Sequence, residues 1–219
     1  MTPAADSLAY TPDGKGLAMS RGRSIVLHSL ETGQEVVLPT EDAIWSIAIS
    51  SDGRRLVAGL ENKLAILVDL PEMRLTSTLK GHSAKVVAVA FSPDGSLVGT
   101  ASSDCLAKVW HTRGVPDRCV LAAHSRAVLS LAISPNGRLL ASAGEDGLAI
   151  LWDLPAQRAI QTWIATNHAA RGVVFSGDGS RLAVALGKAA MVWDLNQARD
   201  LRRVSACVCR RVAGTTDPG

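Results

Sequence analysis

The chain has 219 residues, 47% hydrophobic and 20% charged, so it is long enough to bury a sizeable core and too apolar to be intrinsically disordered. Its net charge of +3 resides wholly from Arg199 onward, in five Arg and two Asp; residues 1–198 balance at 18 against 18 and offer no basic footprint for nucleic acid. No apolar run approaches the ~18 residues of a membrane span, and Met1–Asp6 lacks the basic and apolar regions of a signal peptide, which sets the expectation of a cytoplasmic protein without membrane contact.

Five turn-like tetrapeptides then punctuate the chain. The first unit, about 4–39, begins inside a strand, turns at Thr11-Pro12-Asp13-Gly14 and has a third strand ending at Val26-Leu27-His28. The second, 40–80, turns at Ser50-Ser51-Asp52-Gly53 and its third strand ends at Leu67-Val68-Asp69. The third, 81–122, is the clearest. Lys85–Phe91 is β-branched and apolar enough for a buried strand, Ser92-Pro93-Asp94-Gly95 suits a tight hairpin, and Leu97–Ser102 is a second strand. After a turn at Ser103-Asp104, Leu106–Trp110 alternates as a third strand, and Arg118–Ala122 is a short outer one. The fourth unit, 123–164, turns at Ser134-Pro135-Asn136-Gly137 and reaches Leu151-Trp152-Asp153. The fifth, 165–204, turns at Ser176-Gly177-Asp178-Gly179, reaches Val192-Trp193-Asp194 and has a candidate outer strand at Arg199–Val204. Residues 205–219 read as an irregular or disordered tail.

The third positions of these turns are spaced by 39, 42, 42 and 42 residues, which means one supersecondary unit copied five times. With Gly81-His82 opening a unit, Ser-Pro-Asp-Gly after its first strand and Trp-Asp closing the third, residues 4–198 resemble the WD40-repeat family. The resemblance implies an all-β fold, a β-propeller of about five four-stranded antiparallel blades. Seven blades are usual in that family. Five leave three alternatives: part of a longer propeller, an open arc that associates with another copy, or a closed five-bladed ring.

The resemblance also implies a structural hydrogen-bonded set in a blade. His82, Thr100, Asp104 and Trp110 match it in the third unit, and His124, Ser142, Asp146 and Trp152 in the fourth. The set is chemically consistent, since an indole only donates, a carboxylate accepts, and His and hydroxyl groups relay. Elsewhere Thr40 and Thr166 hold the His places, Asn62 and Gly187 the Asp places, and Leu27 and Val68 stand for Trp. Those blades are expected to rely on packing.

Catalytic chemistry finds little support. Ser142, His124 and Asp146 superficially read as a triad, but the same set recurs in adjacent copies, as a scaffold element does. Cys105, His111, Cys119 and His124 lack a short metal-ligand arm, and no phosphate loop is present. The four Cys (Cys105, Cys119, Cys207, Cys209) read as free thiols. No cofactor or metal is expected, and an enzyme is not.

Partners of proteins that resemble this one commonly dock on the narrow face, formed by the loops before the first strand and between the second and third. The matching positions here are Trp45, Val87, Leu129 and Arg171 at the first strands, with Lys85, Glu61 and Glu145 beside them. Trp and Arg with aliphatic neighbours resemble a protein-binding hot spot. The expected function is a non-catalytic scaffold that binds a protein or peptide. The alternatives are a sensor or regulatory propeller within a larger signalling kinase or NTPase, or a propeller hydrolase.

Overall fold

The computed structural model describes residues 7–112, 118–164, 168–186 and 189–196. It contains 19 strands among them and no helix. Blade one is β1 (Leu8–Tyr10), β2 (Gly16–Ser20), β3 (Ser24–Ser29) and β4 (Glu35–Pro39); blade two is β5 (Ile44–Ile49), β6 (Arg55–Leu60), β7 (Ala65–Asp69) and β8 (Arg74–Leu79). Blade three is β9 (Val86–Phe91), β10 (Leu97–Ser102), β11 (Leu106–His111) and β12 (Arg118–Ala122). Blade four is β13 (Val128–Ile133), β14 (Leu139–Gly144), β15 (Leu148–Asp153) and β16 (Arg158–Ile164). Blade five shows β17 (Ala170–Phe175), β18 (Arg181–Leu186) and β19 (Ala189–Asp194); its expected outer strand at Arg199–Val204 lies outside the described residues, as does the 205–219 tail. Every sheet is an antiparallel meander in chain order.

The five turns owe their shape to their first and third letters. In blade two the Ser50 hydroxyl donates to Asp52 (2.5 Å) and accepts from the Arg55 N–H (3.0 Å), while Asp52 accepts from the Arg54 N–H (3.0 Å). Thr11, Ser92, Ser134 and Ser176 repeat this with Asp13, Asp94, Asn136 and Asp178. The fourth letter must be left-handed, at φ 67 to 72° in Gly14, Gly53, Gly95, Gly137 and Gly179, a region that costs Gly nothing.

The core lies in the seams between blades. Ala18 and Ile25 of blade one pack with Ile44, Ile47 and Leu56 of blade two; Val57 and Leu67 of blade two pack with Val86, Val89 and Trp110 of blade three. Gly59 lets the seam close, because a Cβ there would meet Val86 at 2.8 Å. First strands follow one another in contact from β1 to β5, β9, β13 and β17, as an axis-lining series does. Among the described residues β17 makes no comparable contact with β1, and no sheet closes. The described residues form an arc of five blades.

Pairing also revises one correspondence. Leu17 faces His28, as Leu56 faces Val68 and Val98 faces Trp110. His28 rather than Leu27 therefore stands in the place of Trp in blade one, because the hairpin from Leu17 to His28 is one residue shorter than that from Val98 to Trp110.

Candidate protein-binding face

The hydrogen-bonded sets come first, because they position the loops around them. In blade three the Trp110 indole donates to Thr100 Oγ1 (2.9 Å), Thr100 lies 2.8 Å from His82 Nε2, and His82 Nδ1 lies 2.8 Å from Asp104 Oδ2. One polarity satisfies every link. His82 donates through Nδ1 to the carboxylate and accepts the Thr100 proton at Nε2. Blade four repeats the chain from Trp152 to Ser142 (2.9 Å), His124 (2.8 Å) and Asp146 (3.0 Å). Burial pushes the Asp104 carboxyl up. The Ser83 N–H, His82 and the Leu106 N–H outweigh that and hold it below its ordinary value. Asp146 behaves likewise, through Ser125, Leu148 and His124. Each carboxylate thus ties the loop before a first strand to the link between second and third strands, which meet on one face.

The backbone joins those loops too. The N–H groups of Glu61, Ser103 and Glu145 donate to the carbonyls of Ala43, Lys85 and Ala127 at 2.9, 3.1 and 2.8 Å. Asn62 replaces Asp in blade two and, among the described residues, bonds within its own turn, accepting from the Leu64 N–H (3.4 Å). The residue after it still turns left-handed, as Lys63 (φ 75°), Cys105 (φ 70°) and Gly147 (φ 76°) all do.

At this face the four first-strand candidates occupy one structural position. Ile44 pairs with Leu60 and Ser46 with Gly59, which leaves Trp45 as a β-bulge. Val87 is bulged between Val86 and Ala88, Leu129 between Val128 and Ser130, and Arg171 between Ala170 and Gly172. A bulged residue has no cross-strand partner and its side chain is re-aimed. Trp45 and Arg171 are exposed, Val87 and Leu129 half-buried.

Three of the predicted residues meet directly. The Trp45 indole N–H donates to Glu61, and Lys85 Nζ of the next blade sits 3.6 Å from the Trp45 ring centroid. This ammonium over an aromatic face bridges blades two and three in half-wet surroundings. Trp45 thus belongs to the surface, being 42% exposed, rather than to a seam core. Glu145 pairs only loosely, at 3.9 Å from Arg126, and among the described residues no hydrogen bond or ion pair joins it or Arg171 to the Trp45 cluster.

The sequence reading missed the seam serines. Ser7, Ser46 and Ser130 each accept, at 3.1, 3.3 and 3.2 Å, the N–H of Ile47, Val89 and Val173 in the following blade. Their signal was the same ruler: a Ser recurs at one corresponding place in units one, two and four, where units three and five carry Ala88 and Gly172. Among the described residues no group of three or more His, Cys, Asp or Glu is placed to share a metal ion.

Comparison with known proteins agrees with this architecture. The family model described as "WD domain, G-beta repeat" matches residues 73–111 and 117–153. A serine-threonine kinase receptor-associated protein of Gallus gallus is 31% identical over 107 residues, 48% of this chain and 31% of that protein. The WD repeat-containing protein SL1-17 of Schistosoma mansoni is 36% identical over 110 residues, 49% of this chain and 36% of that protein. The matched part therefore spans about a third of the length of these curated relatives. A chain from a structure titled "Crystal Structure of Mitotic Checkpoint Complex" superposes with a TM-score of 0.81 at 23% identity, covering 87% of this chain and 60% of that one; at this identity the likeness is one of fold.

Proposed function

We propose that this chain, built of WD40 repeats, is a non-catalytic scaffold that binds a protein or peptide at the mouth ringed by Trp45, Val87, Leu129 and Arg171. The bulges carry the reading. The same unpaired position, repeated in four successive blades, presents an indole, two aliphatic side chains and a guanidinium on one face. None of the four is a nucleophile or a general acid, whereas Trp and Arg are the residues most enriched where proteins bind each other. Lys85 and Glu61 hold the Trp45 ring in place from two sides, so less side-chain entropy is lost when a partner covers it. The unbridged thiols of Cys105 and Cys119 favour work in a reducing compartment such as the cytoplasm.

The test is quantitative affinity purification with the wild-type chain beside Trp45→Ala and Arg171→Glu. A partner held at this face is recovered with the wild type and depleted about tenfold or more with both variants, as hot-spot losses require. Equal recovery by variants with unchanged thermal unfolding overturns the reading.

A further inference from the structure

The four seams inside the arc define what covers a blade. The leading side of each blade, turned toward its predecessor, carries an aliphatic residue in the first strand: Ile47, Val89, Leu131 and Val173 are only 6–8% exposed. Leu131 lies against the backbone of the blade before it, its Cδ1 3.0 Å from where a Cβ on Gly99 would sit. Leu8 holds the same place in β1, paired with Met19 as Val89 is paired with Thr100, yet it is 59% exposed. Leu30 likewise is 50% exposed where its counterparts Leu70 and Leu154 are at 3% and 9%. Tyr10, in the place of Phe91, is also exposed. Among the described residues the leading side of blade one is a seam half that no blade covers.

The trailing side of blade five shows the complementary half. Val192 occupies the place of Leu67, Val109 and Leu151, each buried in a seam, and is itself exposed. Val174 occupies the place of Ala48, Ala90 and Ala132, which pack under the following blade, and it is exposed too. Ala190 corresponds to the fully buried Ala107 and is exposed.

We infer that two copies of this chain associate head to tail, the leading side of blade one in one copy seating on the trailing side of blade five in the other. The contact continues the seam already repeated four times and does not involve the mouth residues of the proposed function. The two sides differ, so the contact is heterologous and each copy keeps one free end until a ring closes. Gly172 stands where the Ser46 and Ser130 hydroxyl oxygens accept an N–H of the following blade, and Ala88 stands there at the seam of blades three and four. The contact therefore lacks that hydrogen bond, as one internal seam already does.

Sedimentation velocity of the full chain, from low to high micromolar, tests this with Leu8→Asp, Val174→Asp and the control Leu75→Asp, a 47% exposed position on the outer strand of blade two. The wild type and control associate with rising concentration. Each end variant shifts the dissociation constant by about tenfold or more, the cost of burying an unpaired carboxylate being well above 1.4 kcal/mol. Mixing the two end variants restores one contact, between the intact tail of one and the intact head of the other, and gives a 1:1 heterodimer that grows no further. A wild type that stays monomeric throughout overturns the inference and favours closure within one chain. Association unaffected by Leu8→Asp, or lost in both variants and not restored on mixing, overturns it as well.

Discussion

Trp193 of blade five stacks on Trp163 of blade four, ring centroids 4.8 Å apart and planes 26° from parallel, and neither buried indole N–H has an acceptor among the described residues. For Trp193 the cause lies two residues along the neighbouring strand from its partner Leu182. Val184 occupies the place held by Thr100 and Ser142, and a valine cannot accept a hydrogen bond. Two large rings fill this seam at the expense of a donor each.

Val184→Thr is therefore expected to stabilise the arc by about 0.5–1.5 kcal/mol, by giving the Trp193 indole the acceptor that Trp110 already has. Thr100→Val is the mirror experiment and is expected to cost roughly 1–3 kcal/mol, because it orphans both Trp110 and His82. Urea unfolding of both variants checks the pair. Equal and negligible shifts would contradict the account of the network.

Acid should loosen blades three and four. Asp104 and Asp146 have folded-state carboxyls held below their ordinary value, so protons bind the unfolded chain more readily than the folded one. Their contribution is complete above the unfolded value of about 3.9 and is lost as pH falls through the depressed folded value. The unfolding midpoint is expected to drop below about pH 4, and less steeply in Asp104→Asn, which has no carboxyl there to protonate.

The turn aspartates offer a natural control. Asp94 is held at about 2 by the Ser92 and Ser96 hydroxyls and the Ser96 N–H. Asn136 makes the corresponding bonds from Ser134 (2.7 Å) and to the Arg138 N–H (3.0 Å) with a neutral oxygen. Asp94→Asn should consequently shift thermal unfolding little, whereas Asp94→Ala should cost about 0.5–1 kcal/mol, the net value of exposed turn bonds. Differential scanning calorimetry separates the two.

At the mouth, a double-mutant cycle between Lys85→Ala and Trp45→Phe measures the cation over the ring. A coupling of about 0.5 kcal/mol is expected, since the site is open to water and Phe retains part of the interaction. A coupling indistinguishable from zero would leave Trp45 held by Glu61 alone.

Much of this fold is written locally. The Leu97–Ser102 and Arg118–Ala122 strands stand where alternation and turn chemistry placed them, because short meander strands take their bounds from neighbouring turns. The sets around Trp110 and Trp152 were legible because each residue type has one hydrogen-bonding part to play. What could not be read was register. The shortened link in blade one moves His28 into the place assigned to Leu27, and a one-residue slip leaves no mark on a run such as Ile25-Val26-Leu27-His28. The bulges were equally hidden: Trp45, Val87, Leu129 and Arg171 could be named as a set by their spacing, but not seen to be unpaired. The seam serines escaped because a Ser in a strand usually looks like an ordinary surface residue.

The bulges separate two things that a sheet normally binds together. A residue inside a ladder is constrained by its opposite number and by the layer it packs into, so changing it disturbs the blade. A bulged residue has no opposite number to answer to. Within one chain that position already holds an indole, an isopropyl group, an isobutyl group and a guanidinium, on blades whose first and second strands otherwise pair alike. Recognition at the mouth can thus be rewritten one letter at a time while the scaffold keeps its register.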